Sequence, residues 1–505
     1  MNKFFTNNYI IFLFFIFIVF FHTLSNEIIT WDEFTYILAG QSVVDGYLPY
    51  EKVWEMKPPM VYLMYSIPIY LFPDSLISIR IFGFILLLII SLELNTILNY
   101  LKVKNLKLIS ILFFLSLMTY FFWLYPTTEH LCLPFLLMFL LFSLKFDKWS
   151  DYLFSGVFIS LTILTRSNMI LLGFLFPFFY FFNFYKLIGT KKSLSYISIY
   201  ILGGLIPLII ILLTFFIDKK INLLLVSNID VLLVYSNEFT IIDSIFKYLK
   251  TFFKMIYFYP FLYFPLLILI LISLFNNSFK AFKTYESRLI IFTLFSVLLS
   301  ILVSKQGFSH HLIQLLPILI VFMVLSFQNI NKNFFNRLIK FLFLTPIIYV
   351  LIISTLDSWV FFRNLENLSS QYKVYNYSKE LSESMKPDDR ILALDYHIIY
   401  WYLKEIHTPT SPIAHTPAFI RKTSKLRIKP LEEIGFVEKN HIDNMLSSKP
   451  EIIICSSRIC EDGTENIDNK KIKEILIDYS EIKRINDVML WEFTKKSSLI
   501  IYRKK

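Results

Sequence analysis

Long apolar runs separated by short polar intervals dominate this sequence. A helix of about 20 apolar residues spans the hydrocarbon core of a bilayer, so each run of about that length predicts one crossing. Runs that are long enough, or nearly so, lie at 8–25, 76–98, 108–125, 129–146, 152–165, 168–185, 194–217, 258–275, 288–304, 309–327 and 338–356. The pattern therefore predicts a polytopic α-helical membrane protein with about eleven transmembrane helices.

Two regions depart from this pattern. Residues 60–72 are apolar but too short to span, which favours an interfacial or re-entrant helix. After residue 357, the segments 390–402 and 451–455 are typical of short buried strands, and 438–448 and 468–476 of polar helices. We therefore expect a transmembrane domain over 1–356 and a soluble α/β-like domain over 357–505.

Composition and charge agree with a membrane protein and give it an orientation. Of the 505 residues, 56% are hydrophobic and only 17% are charged. The net charge of +11 does not indicate nucleic-acid binding, because the basic residues concentrate in short loops. Every second loop is basic, and basic loops favour the cytoplasmic side. This pattern predicts a cytoplasmic N-terminus, with the first outer loop (26–75) and the C-terminal domain outside. The stretch 218–257 is the exception, because it is basic although it is interpreted as an outer loop. The first segment lacks a small-residue cleavage site and is expected to remain as an anchor helix.

The first outer loop carries the densest set of polar residues. Asp32 and Glu33 open an amphipathic run, and Lys57 stands before Pro58 and Pro59, which restrict its backbone to extended geometry. A structural interpretation stays open for the acids, because Thr30 and Glu33 have the spacing of a capping box.

Further ionisable residues fall at the ends of predicted spans on the same side. They are Arg80, Glu129, His130, Arg166, His310 and His311. Charged groups at such positions are costly and are functional candidates. Alternatives remain: Thr128 capping a helix beside Glu129, snorkelling of the two arginines, and interfacial histidines.

The three cysteines cannot build a disulfide framework. Cys132 lies in an apolar run, whereas Cys455 and Cys460 are close enough in sequence to pair in an oxidising compartment.

Carboxylates beside Lys, Arg and His at a lipid–water boundary suit an anionic lipid headgroup. The cations would bind phosphate and a carboxylate would deprotonate an attacking hydroxyl. A lipid-phosphate donor also accounts for the lack of a nucleotide-binding loop in the sequence.

Several motifs together resemble GT-C class glycosyltransferases, especially the bacterial lipid A aminoarabinose transferase and the protein O-mannosyltransferase group. The resemblance rests on Trp31-Asp32-Glu33 with Tyr36, Gly46 with Pro49-Tyr50, Lys57-Pro58-Pro59, Arg80, Glu129, and Gly307-Phe308-Ser309-His310-His311 with Leu316-Pro317. It implies inverting transfer of a sugar from a polyprenyl-phosphate carrier to an envelope lipid, glycan or protein on the outer face of a bacterial plasma membrane.

The resemblance also implies roles for the residues. Asp32 would be the general base or would orient the acceptor, supported by Glu33, and Glu129 would be a second acid. The expected substrate-binding residues are Lys57, Arg80, Tyr36, Arg166, His310 and His311. No obligatory metal is expected, although Asp32 with Glu129 could ligate a divalent ion. Met56 stands where aminoarabinose transferases tend to have Glu, which weakens the case for that sugar.

Two other classes act on lipid-linked sugars. A polysaccharide polymerase or ligase usually has a late outer loop with paired arginines. In a flippase or transporter, polar residues would be expected near the middle of the membrane, together with repeat symmetry. The sequence shows neither feature.

Overall fold

A computed structural model of the chain describes residues 12–21, 31–103, 106–121, 126–237, 240–275, 284–305, 307–328, 333–363, 372–386, 389–394, 397–402, 425–462, 469–489 and 496–505. The fold is mostly helical, with one small sheet near the C-terminus.

The α-helices are α1 (Phe12–Phe21), α2 (Trp31–Val44), α3 (Met60–Leu71), α4 (Leu76–Tyr100), α5 (Lys107–Phe121), α6 (Thr128–Lys145), α7 (Trp149–Thr165), α8 (Ile170–Ile188), α9 (Thr190–Ile217), α10 (Ile221–Leu225), α11 (Val231–Ser236), α12 (Ile241–Phe258), α13 (Pro260–Phe275), α14 (Tyr285–Val303), α15 (Leu316–Phe327), α16 (Asn333–Arg363), α17 (Lys373–Ser384), α18 (Ile399–Tyr402), α19 (Lys429–Glu433), α20 (His441–Ser447) and α21 (Asn469–Leu476). Shorter 3₁₀ segments cover Ser167–Met169, Ser309–Leu315 and Lys425–Arg427, and π-helical segments cover Val226–Asp230 and Arg458–Asp462. The strands are β1 (Ile391–Ala393), β2 (Ile452–Ser456), β3 (Tyr479–Met489) and β4 (Lys496–Lys504).

The chain divides into two compact units, neither of which is continuous in sequence. The first comprises 1–25, 80–211 and 239–363, and the second comprises 26–79, 212–238 and 364–505. The predicted boundary near residue 357 falls inside α16, which continues to Arg363.

The first unit holds a large apolar core shared by its long helices. Residues such as Leu137 and Ile320 are fully buried in it. Glycines allow the backbones of α7 and α9 to come into contact. A Cβ on Gly156 would lie 2.0 Å from the carbonyl oxygen of Tyr200, and a Cβ on Gly203 would lie 2.1 Å from the carbonyl oxygen of Leu153. Since lipid supplies no hydrophobic force between helices, such close packing is a main source of helix association.

Seven helices among the described residues are long and apolar enough to cross a membrane. They correspond to the predicted runs at 76–98, 129–146, 168–185, 194–217, 288–304, 309–327 and 338–356. Within the described residues, the other four predicted runs coincide with helices shorter than 18 residues, namely α1, α5, α7 and α13, so the count of about eleven is not confirmed.

The basic stretch 218–257, which the sequence analysis interpreted as an outer loop, is helical over most of its described residues. It contains α10, a π-helical turn and α11 in the second unit, and α12 in the first. Lys247, Lys250 and Lys254 recur at steps of three and four, so in α12 they share one face of an amphipathic helix.

In the second unit, α2 packs against α3, and the sheet has the order β1-β2-β4-β3. β1 pairs with β2 in parallel, and the other two pairs are antiparallel. Two helices and β2 confirm the predictions for 438–448, 468–476 and 451–455. The pair β3 and β4 was not predicted.

Of the described residues in 390–402, only Ile391–Ala393 form a strand, and the prediction of strand is wrong for Ile399–Tyr402. The Tyr400 hydroxyl donates to the carbonyl of Ile391 at 3.1 Å and accepts from the backbone N–H of Ala393 at 2.9 Å. These bonds fold the chain back on itself, so Ile399–Tyr402 forms a helical turn instead.

Candidate functional site

The predicted site residues fall into two sets, one in each unit. Asp32, Glu33, Tyr36 and Lys57 belong to the second unit. Arg80, Glu129, Arg166, His310 and His311 belong to the first.

The adjacent acids of α2 have different environments. Both lie in the first turn, where the helix dipole stabilises negative charge. Asp32 is partly exposed, whereas Glu33 is fully buried. Of the two carboxylates, only that of Asp32 is therefore accessible to solvent. Thr30, the expected capping partner, lies outside the described residues.

The rest of α2 is held by aromatic and polar contacts within its unit. Tyr36 is buried edge-to-face against Tyr65 of α3, with ring centroids 5.5 Å apart. Thr35 Oγ1 is hydrogen-bonded to Nε2 of the buried His397 at 2.8 Å, and Trp401 Nε1 donates to Gln41 Oε1 at 3.2 Å. The C-terminal segment thus fixes the helix that carries Asp32.

Lys57 is partly exposed and its backbone is bound on both sides. Its carbonyl accepts from the Tyr50 hydroxyl at 2.8 Å, and its N–H donates to the Tyr62 hydroxyl at 3.2 Å. Burial raises the pKa of Tyr50 and Tyr62 above the ordinary value, so both phenols stay protonated at neutral pH. The nearby Asp32 carboxylate adds to the rise at Tyr62.

In the first unit, four predicted residues form one buried cluster. Arg166 Nη2 lies 2.8 Å from Glu129 Oε1, and its Nη1 donates to Thr128 Oγ1 at 3.0 Å. Nε2 of His310 and Nε2 of His311 lie 4.0 and 3.9 Å from the same carboxylate oxygen. A carboxylate buried among three nitrogenous side chains is the arrangement expected of a functional polar centre in a membrane protein.

Local structure explains how these residues meet. Glu129 lies in the first turn of α6, whose N-cap is Thr127 and not Thr128: the Thr127 side chain accepts from the N–H of His130. Arg166 is the C-cap residue of α7, where the chain leaves the helix, and its guanidinium turns toward Glu129 instead of snorkelling.

The two histidines come from the 3₁₀ segment Ser309–Leu315, which follows Gly307. Gly307 has φ +71°, a backbone conformation that side chains rarely adopt. Their rings are perpendicular, with centroids 4.7 Å apart, and His311 Nδ1 is hydrogen-bonded to the Tyr248 hydroxyl at 2.8 Å. The Nε2 atoms of His310 and His311 therefore approach the same carboxylate oxygen of Glu129 from two directions.

The cluster offers ligand atoms for a metal. Glu129, His310 and His311 contribute one ligand atom each, all within 4.8 Å of one another. Two imidazoles and a carboxylate suit zinc and other transition metals.

Arg80 is also buried, in α4 of the first unit. The sequence analysis did not identify Tyr50, Asn228, Tyr248 or His397. Tyr50 belongs to a quoted motif, but the other three act through contacts distant in sequence, for which a single chain carries no signal.

Comparison with known proteins supports the predicted resemblance. Residues 56–215, less than half of the chain, match the family model described as dolichyl-phosphate-mannose-protein mannosyltransferase. No curated protein matches the sequence significantly.

The fold has solved counterparts. The structure of ArnT from Cupriavidus metallidurans bound to undecaprenyl phosphate matches with a TM-score of 0.60 and 11% identity, covering 98% of each chain. The apo structure of the same protein matches with a TM-score of 0.56 and 9% identity over the same shares. At this identity the likeness shows the fold alone.

The shared fold extends over nearly the whole chain, and the family match begins at Met56, directly before Lys57. This protein is therefore a multi-pass membrane protein with the GT-C fold, and it resembles the polyprenyl-phosphate-sugar glycosyltransferases of the aminoarabinose-transferase and protein O-mannosyltransferase group.

Proposed function

We propose that this protein is an inverting glycosyltransferase that moves a sugar from a polyprenyl-phosphate carrier to a lipid, glycan or protein acceptor. The observation that carries the proposal is the buried cluster of Glu129 with Arg166, His310 and His311. It supplies both a carboxylate and cationic or polarisable nitrogens, in a chain with the fold of a protein solved with undecaprenyl phosphate.

The chemistry needs charge stabilisation more than a cofactor. As the bond between the sugar and the phosphate breaks, negative charge develops on the leaving phosphate. Fixed cations near a low-dielectric boundary stabilise that charge strongly, and removing one such contact typically slows turnover by about 10²–10³.

Each residue has a proposed role. Asp32, the partly exposed acid of its pair, takes the proton of the acceptor hydroxyl or orients that hydroxyl, and the buried Glu33 supports the start of α2. Lys57 binds the donor phosphate. Tyr36 supports α2 through its contact with Tyr65.

The first unit holds the other residues with proposed roles. Glu129 is the second acid, Arg166 orients it, and His310 and His311 face the donor. Arg80 positions the adjoining loop from within α4. We propose that no metal is obligatory, since Arg166 already compensates the Glu129 charge; a divalent ion, where bound, would be held by Glu129, His310 and His311.

We place the protein in a bacterial plasma membrane, with the N-terminus in the cytoplasm and the C-terminal domain outside. The alternating charge of the loops supports this orientation. The disulfide between Cys455 and Cys460 also supports it, because such bonds persist in oxidising compartments.

The test uses purified protein in lipid with a panel of polyprenyl-phosphate sugars and a crude envelope acceptor. Release of free polyprenyl phosphate is followed for the wild type and for Asp32→Asn. We expect release by the wild type and loss of release in the variant. The donor that supports release will identify the transferred sugar.

Three other outcomes would overturn parts of the proposal. Equal rates from both proteins would remove Asp32 as the base. Release without any product on the acceptor would indicate a hydrolase. Donor movement across the bilayer without release would indicate a flippase.

A further inference from the structure

The segment around Lys57 is bound by side chains to which the sequence analysis assigned no role. We use the name Lys57 frame for Tyr50, Tyr62 and Asn228. All three belong to the same unit as Lys57.

The frame binds the Lys57 backbone from two directions. The Tyr50 hydroxyl donates to the Lys57 carbonyl at 2.8 Å, and the Lys57 N–H donates to the Tyr62 hydroxyl at 3.2 Å. The Tyr62 hydroxyl in turn donates to the carbonyl of Glu55 at 2.9 Å. With Pro58 restricting the next bond, the direction in which the Lys57 side chain leaves the backbone is fixed.

Asn228 sets the direction of the Tyr50 bond. Its Nδ2 donates to the Tyr50 hydroxyl at 3.0 Å, so the single phenolic proton is left to donate to Lys57. Asn228 lies in the π-helical turn Val226–Asp230, and the neighbouring Ser227 accepts from Trp54 Nε1 at 2.8 Å. One irregular turn therefore contacts the Lys57 segment at two points, and π-helical turns occur frequently at functional sites.

Tyr50 itself has an unusual backbone. Its φ of +76° is in the left-handed region, which is unfavourable for a bulky residue and persists only where the surroundings enforce it. Its ring is fully buried and lies edge-to-face against Tyr62 at 5.5 Å. The strain is maintained by the packing that delivers the hydroxyl to Lys57.

From this geometry we propose that Tyr50 and Asn228 are positioning residues that act through Lys57, aiming its ammonium at the phosphate of the lipid-linked donor. The inference rests on the proposed function, in which Lys57 binds that phosphate. It adds the segment Val226–Asp230, which is distant in sequence from Lys57, to the residues that determine donor recognition.

The experiment is a double-mutant cycle of Tyr50→Phe and Lys57→Met. Turnover is measured together with binding of undecaprenyl phosphate in detergent. Tyr50→Phe keeps the ring and removes only the hydroxyl. We expect it to weaken phosphate binding about three- to tenfold, the equivalent of a typical hydrogen bond, and to have no further effect once Lys57 is Met.

Asn228→Asp supplies a sharper variant of nearly the same shape. A carboxylate accepts and cannot donate, so the Tyr50 proton would turn to Asp and leave the Lys57 carbonyl. We expect a loss at least as large as that of Tyr50→Phe, again absent in the Lys57→Met background. The matched control is Tyr47→Phe, which removes a hydroxyl from an exposed ring in the same segment.

The outcomes distinguish a failure of the positioning role from a failure of the proposed glycosyltransferase function. Equal losses with and without Lys57, or an unchanged affinity in Tyr50→Phe and Asn228→Asp, would overturn the positioning role while leaving the transferase proposal intact. Unchanged binding and turnover in Lys57→Met alone would instead overturn the role of Lys57 in the proposed function.

Discussion

The Arg166 guanidinium lies 2.8 Å from the Glu129 carboxylate, and the two side chains are 11% and 1% exposed. The pair joins the end of α7 to the start of α6. Because neither charge is well hydrated, each depends on the other for compensation.

Removing only Arg166 from this pair should destabilise the protein more than replacing both members. Arg166→Met leaves a buried carboxylate without its cation, and we expect a loss of about 3–5 kcal/mol in the free energy of unfolding. The double variant Glu129→Gln/Arg166→Met should recover part of that loss. Unfolding in a denaturant series measures both, with the exposed Asp218→Asn as control. Additive losses would show that the pair is not coupled.

The two acids of α2 should respond differently to amide substitution. Asp32→Asn should reduce turnover by about 10²–10⁴, the usual contribution of a general base, without changing thermal stability, since Asp32 is partly exposed. Glu33→Gln should lower the unfolding temperature as well, because Glu33 is fully buried. Turnover and thermal unfolding measured on the same preparations check this. A stable, fully active Asp32→Asn protein would contradict it.

Chelation should leave turnover unchanged. A metal at Glu129, His310 and His311 would compete with the Arg166 guanidinium for the same carboxylate oxygen. We therefore expect purified protein treated with EDTA to retain its rate, and elemental analysis to find less than one equivalent of metal. Loss of activity on chelation, restored by zinc or manganese but not by magnesium, would show that the cluster is a metal centre.

Gly40 lets α2 approach α3 closely. A Cβ at this position would lie 2.9 Å from the Cβ of Tyr65 and 3.0 Å from its carbonyl carbon. We expect Gly40→Ala to destabilise the protein by about 1–3 kcal/mol, the usual cost of overpacking, and to lower turnover because α2 carries Asp32.

The control for this prediction is Gly204→Ala. The nearest atom to a Cβ there is 3.5 Å away, an ordinary contact, so thermal unfolding should show no loss. Equal behaviour of the two variants would mean that α2 and α3 readily separate.

The disulfide between Cys455 and Cys460 closes a loop with a sequence separation of 5. For so short a loop, chain-entropy arguments give a stabilisation of about 2 kcal/mol. Cys455→Ser/Cys460→Ser should therefore lower the unfolding temperature by the same amount as reductant does. Cys132→Ala, at a buried free thiol, should not abolish the effect of reductant. An identical midpoint with and without reductant would contradict the prediction.

Sequence alone determined the features that depend on local pattern. The apolar runs predicted the long helices, because the apolar length that crosses a bilayer is fixed by bilayer thickness. The charged residues that interrupt these runs indicated Glu129, Arg166, His310 and His311, because ionisable groups are rarely retained in such places without a function. Motif likeness predicted the GT-C fold that the structure shows.

Only the tertiary structure decided what depends on contacts between distant segments. It revealed that Arg166 pairs with Glu129, that Asn228 donates to the Tyr50 hydroxyl, and that His397 is hydrogen-bonded to Thr35 of the helix that carries Asp32. It also showed that the basic stretch 218–257 contains the amphipathic helix α12, and that the Tyr400 hydroxyl donates back to the carbonyl of Ile391 in β1. Hydrogen bonds and ion pairs between segments far apart in sequence leave no periodic trace in the chain, so their partners become visible only when the chain is folded.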